Sequence, residues 1–231
     1  FFTQKTAYEI PLRLVGSEMC IRDRNRVCIM DNFKNRNFFH EGMREFQELF
    51  DGVRTADAIE KHRKHYEFWD DEIDLIRKSK FFFIASSWNG YIDCNIKSGD
   101  PGFVKIVKDG VIEYPEYDGN SMYRTAGNIV KNANVALLFV NFDGKSRRIR
   151  INGHASIHRD NNSLKRHYGA KFVVRIKCEI YPNCPRYIPN LKNDKLSVYT
   201  PREEEGTPPA PEWKERDYIK NILPKDDPHN N

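Results

Sequence analysis

The sequence contains no apolar run close to the roughly 20 residues that a membrane-spanning helix needs. Its densest apolar stretches, residues 81–85 and 135–140, have the length of buried strands instead. The five cysteines form no Cys-x-x-Cys pair, and neither a Walker nor a Rossmann glycine motif is present. These absences argue against a transmembrane helix, a cysteine zinc site, and the common sites for nucleoside triphosphates and dinucleotides.

A strong charge of one sign is also missing. The 231 residues carry a formal net charge of +5, and acidic and basic side chains alternate along the chain instead of forming a basic stripe. Nucleic-acid-binding proteins usually show a more one-sided distribution of charge. We therefore expect a protein that binds neither nucleic acid nor membrane, with reduced cysteines in the cytoplasm.

The first 29 residues show no periodicity that connects them to a core. Residues 14–24, which read LVGSEMCIRDR, resemble the translation of a sequencing adapter, and they lack the ordered parts of a secretory signal. We expect residues 1–29 to be a non-native leader and Met30 to be the natural start.

Helical spacing of apolar residues predicts two short helices over residues 39–50 and 55–66, with a third over residues 70–80. The period then changes to that of strands. Asn89-Gly90 and Asp109-Gly110 are strong signals for tight turns between antiparallel strands. Further strands are predicted over residues 134–142, 147–158 and 171–181, so that six or seven strands, joined mainly by hairpins, make an antiparallel barrel.

Between the second hairpin and the strand at residue 134 lies a stretch rich in turn-forming residues. Residues 115–120 read PEYDGN, and we expect Asn120 or Ser121 to cap a helix over residues 122–132. A phosphate monoester binds well to exposed backbone N–H groups at a helix start together with cations, which Lys97 and Arg124 can provide. The residues themselves thus favour a phosphate site at this turn.

Residues 93–150 carry a specific resemblance. The string GNIVKNANVALLFVNF, residues 127–142, and the preceding turn and helix start resemble the flavin-binding core of the pyridoxamine 5'-phosphate oxidase-related family, closest to its branch of flavin-nucleotide-binding proteins. Ala133 stands where the family usually has proline. The resemblance covers about residues 75–160, and it implies a mainly β fold: an FMN-binding split β-barrel with short N-terminal helices and a helix after the phosphate-binding turn.

The resemblance also implies the organisation of the chain. We expect a helical segment over residues 30–75, the FMN-binding split barrel over residues 76–189, and an extended, Pro-rich tail over residues 190–231. Family members of this size bind FMN between two subunits, so a homodimer with FMN at the interface is expected. The residues that the resemblance assigns to the cofactor are Asn95, Ile96, Lys97, Glu116, Tyr117, Asn120, Ser121, Met122, Arg124, Thr125, Asn128 and Arg148.

Taken alone, Lys97 and Arg148 are more typical of solvated strand residues, and only the complete set points to a flavin site. Arg186, in a Cys-Pro-Arg turn, is a weak candidate for contact with an anionic substrate, although a purely structural turn is an equal alternative. His154 and His158 share one face of a strand without a third ligand, so no metal site is expected.

The implied function is that of an FMN-dependent oxidoreductase acting on an unidentified small molecule. No acid–base pair is recognisable, and the Trp- and Arg-bearing motif with which true pyridoxamine phosphate oxidases hold the vitamin phosphate has no equivalent in residues 199–231. We therefore do not expect oxidation of the vitamin. A non-catalytic module that stores or senses FMN remains an alternative, as does a binder of heme or deazaflavin on the same barrel.

Overall fold

Burial alternates along residues 81–86, 134–139 and 148–155, which is the pattern typical of strands with one face in the core. The computed structural model describes residues 37–142, 147–181, 201–210, 212–215 and 229. The helices are α1 (Glu41–Leu49), α2 (Val53–Arg63), α3 (Asp70–Lys78), α4 (Arg124–Lys131) and α5 (Asn161–Leu164), and a 3-10 helix covers Glu212–Glu215. The strands are β1 (Phe81–Trp88), β2 (Tyr91–Ser98), β3 (Lys105–Lys108), β4 (Val111–Glu116), β5 (Asn134–Val140), β6 (Arg148–His158) and β7 (Phe172–Tyr181).

The chain divides into two units, residues 1–50 and residues 51–231. In the first unit, α1 is capped by His40, whose ring Nδ1 accepts a hydrogen bond from the backbone N–H of Met43 at 3.3 Å. The second unit holds the whole sheet. The predicted leader, residues 1–29, lies outside the described residues.

All seven strands form one antiparallel sheet in the order β2-β1-β5-β6-β7-β4-β3. The first predicted hairpin is present: Asn89 and Gly90 both have positive φ, 43° and 82°, as the tightest hairpin turn requires. In the second hairpin Gly110 also has positive φ, 63°, and a Cβ there would lie 2.0 Å from the carbonyl oxygen of Tyr66. Only glycine therefore fits this turn.

The sheet curls around its own core. Three strands separate β1 from β4 in the sheet order, so a flat sheet would hold them about 19 Å apart at about 4.8 Å per strand. The rings of Phe82 on β1 and Tyr114 on β4 nevertheless meet with centroids 5.0 Å apart. Phe82 also stacks on Phe103 and Phe139. The predicted fold class, a mainly β split barrel with short helices before it and a helix after the turn, is confirmed.

The described helices include none that is long and apolar enough to span a membrane.

In the predicted tail, the described part contains a turn closed by a bridge between Arg202 and Gly206 and then the 3-10 helix. The predicted bounds of the leader, barrel and tail stay predictions.

Candidate functional site

A cavity of about 880 Å³ opens beside the end of β2 and the loop that connects β4 to α4. This volume lies in the upper part of the range, about 300–1,000 Å³, that is typical of small-molecule sites. Ten of the twelve residues predicted to bind a cofactor line it: Asn95, Ile96, Lys97, Glu116, Tyr117, Asn120, Ser121, Met122, Arg124 and Thr125. The sequence separates these residues into two groups, and the sheet brings both groups to one place.

The loop between β4 and α4 differs from its prediction. Asn120 does not cap the helix: its side-chain Oδ1 accepts from the backbone N–H of Met122 at 3.1 Å, which closes a turn of its own. Ser121 and Tyr123 then adopt left-handed backbone conformations, with φ of 61° and 47°. The N-cap is Tyr123 rather than Asn120 or Ser121, and α4 begins at Arg124, two residues later than predicted.

The left-handed backbone conformation costs roughly 1–2 kcal/mol of conformational energy for each residue other than glycine, and both Ser121 and Tyr123 adopt it. Such strain persists only where the surrounding structure enforces it, and it is concentrated at ligand-binding segments. At the end of the loop, Tyr123 caps α4 without any side-chain hydrogen bond. The first N–H groups of α4 have no partner inside the helix, and Arg124, Thr125 and Ala126, which carry them, line the cavity. An anion at this point would receive both hydrogen bonds and the favourable end of the helix dipole.

Each cationic side chain that sequence reasoning assigned to the cavity has an acidic partner. Lys97 Nζ lies 2.6 Å from Glu116 Oε1, and both side chains are largely buried. Arg124 Nε donates to Asp93 Oδ1 at 3.1 Å, while its Nη2 donates to the carbonyl of Ile92 at 3.2 Å. The Arg124 side chain keeps 58% of its surface exposed, so it can also face a ligand.

A hydrogen-bond network connects α4 to the first hairpin, which is formed by β1 and β2. Thr125 Oγ1 donates to Asp93 Oδ2 at 2.7 Å, and Asn95 Nδ2 donates to Thr125 Oγ1 at 3.4 Å. Asn128 Nδ2 lies within 3.3 Å of three acceptors: the Ser86 carbonyl and hydroxyl oxygens and the Tyr91 carbonyl. Because Asn128 is buried and does not line the cavity, its observed contacts hold the helix against the sheet.

Arg148 and Arg186 are the two remaining candidates. Arg148 begins β6 opposite Val140 on β5 and is not among the lining residues. Arg186 lies outside the described residues. The described part of the chain contains no group of three or more His, Cys, Asp or Glu arranged to hold a metal ion.

Tyrosine hydroxyls near the cavity stay protonated at neutral pH. Burial raises the pKa of Tyr117, and the nearby Asp100 carboxylate raises it further. Burial also raises the pKa of the completely buried Tyr114 well above its usual range, with the Glu116 carboxylate as the second cause. Both hydroxyls are therefore neutral at this pH.

One wall of the cavity was missed by sequence reasoning. It is formed by residues of the C-terminal segment: Pro201, Gly206, Thr207, Pro208, Pro209, Lys214 and His229. Tyr168, Gly169 and Phe172, just before and at the start of β7, complete this side. No local pattern marks these residues as part of a site, since a Pro-rich charged stretch is equally typical of a solvated tail.

Comparison with known families shows that the family model of pyridoxamine 5'-phosphate oxidase matches residues 70–198. No curated protein matches the chain. Among solved structures, a candidate pyridoxamine 5'-phosphate oxidase from Lactobacillus delbrueckii is 16% identical, with a TM-score of 0.41 over 52% of this chain and 99% of the other. HupZ from Group A Streptococcus is 19% identical, with a TM-score of 0.38 over 48% and 90%. An FMN-binding protein from Syntrophomonas wolfei is 13% identical, with a TM-score of 0.37 over 61% and 95%.

Proposed function

Because this chain belongs to the pyridoxamine 5'-phosphate oxidase family, we propose that it binds flavin mononucleotide (FMN) and acts as an oxidoreductase on a small molecule. The observation that carries this proposal is the convergence of ten predicted cofactor residues on one cavity. Bound FMN would supply the redox step by accepting a hydride, and the protein would supply binding, orientation and electrostatics.

The phosphate of FMN fits the start of α4. The uncapped first turn offers backbone N–H groups, and the half-exposed Arg124 guanidinium adds a cation at the same end. Charge-assisted hydrogen bonds of this kind are stronger than neutral ones. Lys97 is a less direct partner, because Glu116 already neutralises its charge. The donor set is thus suited to a phosphate monoester at the loop between β4 and α4.

The remainder of the lining suits an aromatic ring with a polar edge. Ile96 and Met122 are large apolar side chains that keep more than half of their surface exposed, and Tyr117 lies beside them in the same cavity. Such residues pack against flat rings, while the neutral Tyr117 hydroxyl can take part in hydrogen bonds. This arrangement supports placing the isoalloxazine ring between β2 and the loop.

We also propose a homodimer that completes the site. Six exposed large apolar residues lie on β2, α4 and the loop before α4: Tyr91, Ile92, Ile96, Met122, Tyr123 and Val130. Exposed apolar side chains grouped on neighbouring elements commonly mark a protein interface. A second copy on this face would cover it and would close the cavity from the side that one chain leaves open.

A non-catalytic FMN module is the second candidate. Among the described lining residues, the cations Lys97 and Lys214 are paired with Glu116 and Asp118, and none of these contacts joins an acid to a histidine as in a general acid–base pair. Hydride transfer to a flavin does not require such a pair. Anaerobic mixing with NADH or NADPH separates the two functions, since an enzyme bleaches its flavin rapidly and a storage module does so slowly or not at all.

Cofactor binding is tested with a tryptophan at Gly119, which lines the cavity and where an added Cβ meets no atom within 4 Å. The control is Asn162→Trp, at an exposed position on α5 that does not line the cavity. Titration of FMN, followed by quenching of its fluorescence, should give clear binding for the full chain and for Asn162→Trp. Gly119→Trp should bind at least about tenfold more weakly, a loss of about 1.4 kcal/mol. Absence of FMN from the purified protein and from the titration of the full chain would refute the proposal.

A further inference from the structure

Two ion pairs fasten the C-terminal wall of the cavity. At one end, Arg202 forms a bidentate ion pair with Asp100: Nε donates to Oδ2 at 2.7 Å and Nη2 donates to Oδ1 at 3.0 Å. Planar two-point contacts of this kind are among the strongest and most directional ion pairs. Arg202 Nη1 also donates to Glu205 at 3.1 Å, which shapes the turn that follows.

At the other end, Lys214 forms an ion pair with Asp118. The Lys214 side chain is only 3% exposed, and Lys171 donates to the other oxygen of the same carboxylate at 3.1 Å. His229 Nδ1 lies 3.4 Å from Lys214 Nζ, and His229 Nε2 lies 2.8 Å from the carbonyl oxygen of Pro208. Since an ammonium only donates and a carbonyl only accepts, a neutral His229 protonated at Nε2 satisfies both contacts.

One of the two acidic partners, Asp118, lines the cavity, and the other, Asp100, lies two residues after the end of β2, whose last residues line it. Asp100 follows β2, and Asp118 lies in the loop that carries the strained Ser121 and Tyr123. Directly before the first pair, the segment packs closely on the barrel: a Cβ on Gly169 would lie 2.8 Å from the Cβ of Pro201. The segment therefore contacts the loop after β2, the loop between β4 and α4, and the residues just before β7.

We propose that residues 201–210 and 212–215 act as a strap that is anchored by two positioning residues, Arg202 and Lys214, and that this strap holds the ligand-binding loop and slows the exit of the ligand. The costly backbone of Ser121 and Tyr123 needs external support to persist. The ion pair of Lys214 with Asp118, three residues before Ser121, supplies this support. The part of the inference that concerns ligand exit rests on the proposed function, whereas the support of the loop does not.

Hydrogen exchange of the ligand-free full chain tests the support of the loop. Lys214→Met should speed amide exchange about tenfold, both in residues 201–210 and in residues 117–123, since opening of the strap frees both segments. The matched control is Lys78→Met, which removes a surface lysine–aspartate pair of 2.7 Å from α3 and should change neither segment. Lys214→Arg should restore slow exchange. Unchanged exchange of residues 117–123 in Lys214→Met would overturn the proposal.

The dissociation rate of FMN tests the second part. Lys214→Met and Arg202→Met should each release bound FMN about tenfold faster, with little change in the association rate, because the strap closes over a ligand that has already bound. Arg54→Met, which removes an exposed arginine–aspartate pair, is the control for Arg202. Equal dissociation rates for wild type and both strap variants would disprove retention by the strap. If the full chain binds no FMN, the proposed function fails, and the exchange experiment still decides whether the strap supports the loop.

Discussion

Lys97 Nζ lies 2.6 Å from Glu116 Oε1 in the lining of the cavity, with both side chains mostly removed from solvent. The acid neutralises the lysine, and it also places a negative charge beside the proposed position of a phosphate. We predict that Glu116→Gln strengthens the binding of FMN relative to riboflavin by about three- to tenfold, or about 1 kcal/mol. The ratio of the two dissociation constants is the relevant measurement, because contacts with the ring and the ribityl chain cancel in it.

The reverse change at the same pair provides the control. Lys97→Met leaves Glu116 without its partner in a largely buried position, so FMN binding should weaken more than riboflavin binding. An unchanged ratio in both variants would mean that this pair only joins β2 to β4.

Arg124 gives a second test of the phosphate position. Arg124→Ala should weaken FMN binding roughly ten- to a hundredfold, since a charge-assisted hydrogen bond contributes about 1.5–3 kcal/mol. Riboflavin, which lacks the phosphate, should lose little affinity. Fluorescence titrations of both ligands decide the matter.

The structure adds a competing role for Arg124, because its guanidinium also contacts Asp93 and the carbonyl of Ile92. Equal losses for FMN and riboflavin would show that Arg124 acts only by holding α4 against β2. Asp93→Asn separates the two roles, since it weakens that contact and leaves the arginine in place.

Asn128 should matter for stability more than for the ligand. Asn128→Ala removes the donor shared by Ser86 and Tyr91 in a buried position, and we expect a loss of about 1–3 kcal/mol in the free energy of unfolding. Asn132→Ala, which removes a more exposed bond to the Ser87 carbonyl, should cost about 0.5 kcal/mol. Urea denaturation of both variants gives the comparison. A loss of FMN affinity in Asn128→Ala without a loss of stability would show that Asn128 acts in cofactor binding instead.

The proposed homodimer depends on the exposed apolar face of β2. Ile92 keeps 73% of its surface exposed in the single chain, so Ile92→Glu should leave the fold intact, shift the protein to a monomer and weaken FMN binding. Val107→Glu places the same charge on β3, where the original side chain is 36% exposed, and it should remain a dimer. Light scattering with and without FMN measures the assembly. A wild-type monomer that retains FMN would contradict the prediction.

Features controlled by neighbouring residues could be predicted from the sequence. Asn89-Gly90 and Asp109-Gly110 identify the two hairpins because their backbone demands are local, and the alternation along β6 follows directly from burial of one face. The capping residue of α4 could not be predicted, because the side chain of Asn120 closes an earlier turn instead. The Lys214–Asp118 contact joins residues 96 positions apart, and no periodicity encodes such a pair.

The final prediction concerns the pH dependence of stability, which His167 should dominate between neutral pH and pH 5. Its side chain is 1% exposed and its Nε2 lies 3.6 Å from Glu113 Oε2. The pKa of His167 falls from 6.5 to about 4, mainly because the ring is buried; the Lys105 ammonium contributes to this lowering, while Glu113 opposes it. The folded protein therefore keeps this ring neutral at neutral pH.

The direction in which stability changes with pH follows from proton binding in the folded and unfolded states. Below pH 6.5 the unfolded chain protonates His167, whereas the folded chain does so only near pH 4, so acid favours unfolding throughout this window. The slope approaches about 1.4 kcal/mol per pH unit, and the total is on the order of 3 kcal/mol. Burial alone would raise the pKa of Glu113, but hydrogen bonds from Arg166 and Arg175 lower it overall. Protonation of Glu113 therefore destabilises the protein only at a pH below this window.

Urea denaturation at pH 7, 6 and 5 tests this prediction with His167→Gln as the comparison. The wild type should lose stability steadily over the three values, while the variant should start less stable and change much less, because glutamine does not titrate. His62→Gln, on α2, removes an exposed histidine and should follow the wild type. Parallel slopes for wild type and His167→Gln would show that His167 is protonated equally in the folded and unfolded states, and the neutral buried ring would then be the wrong description.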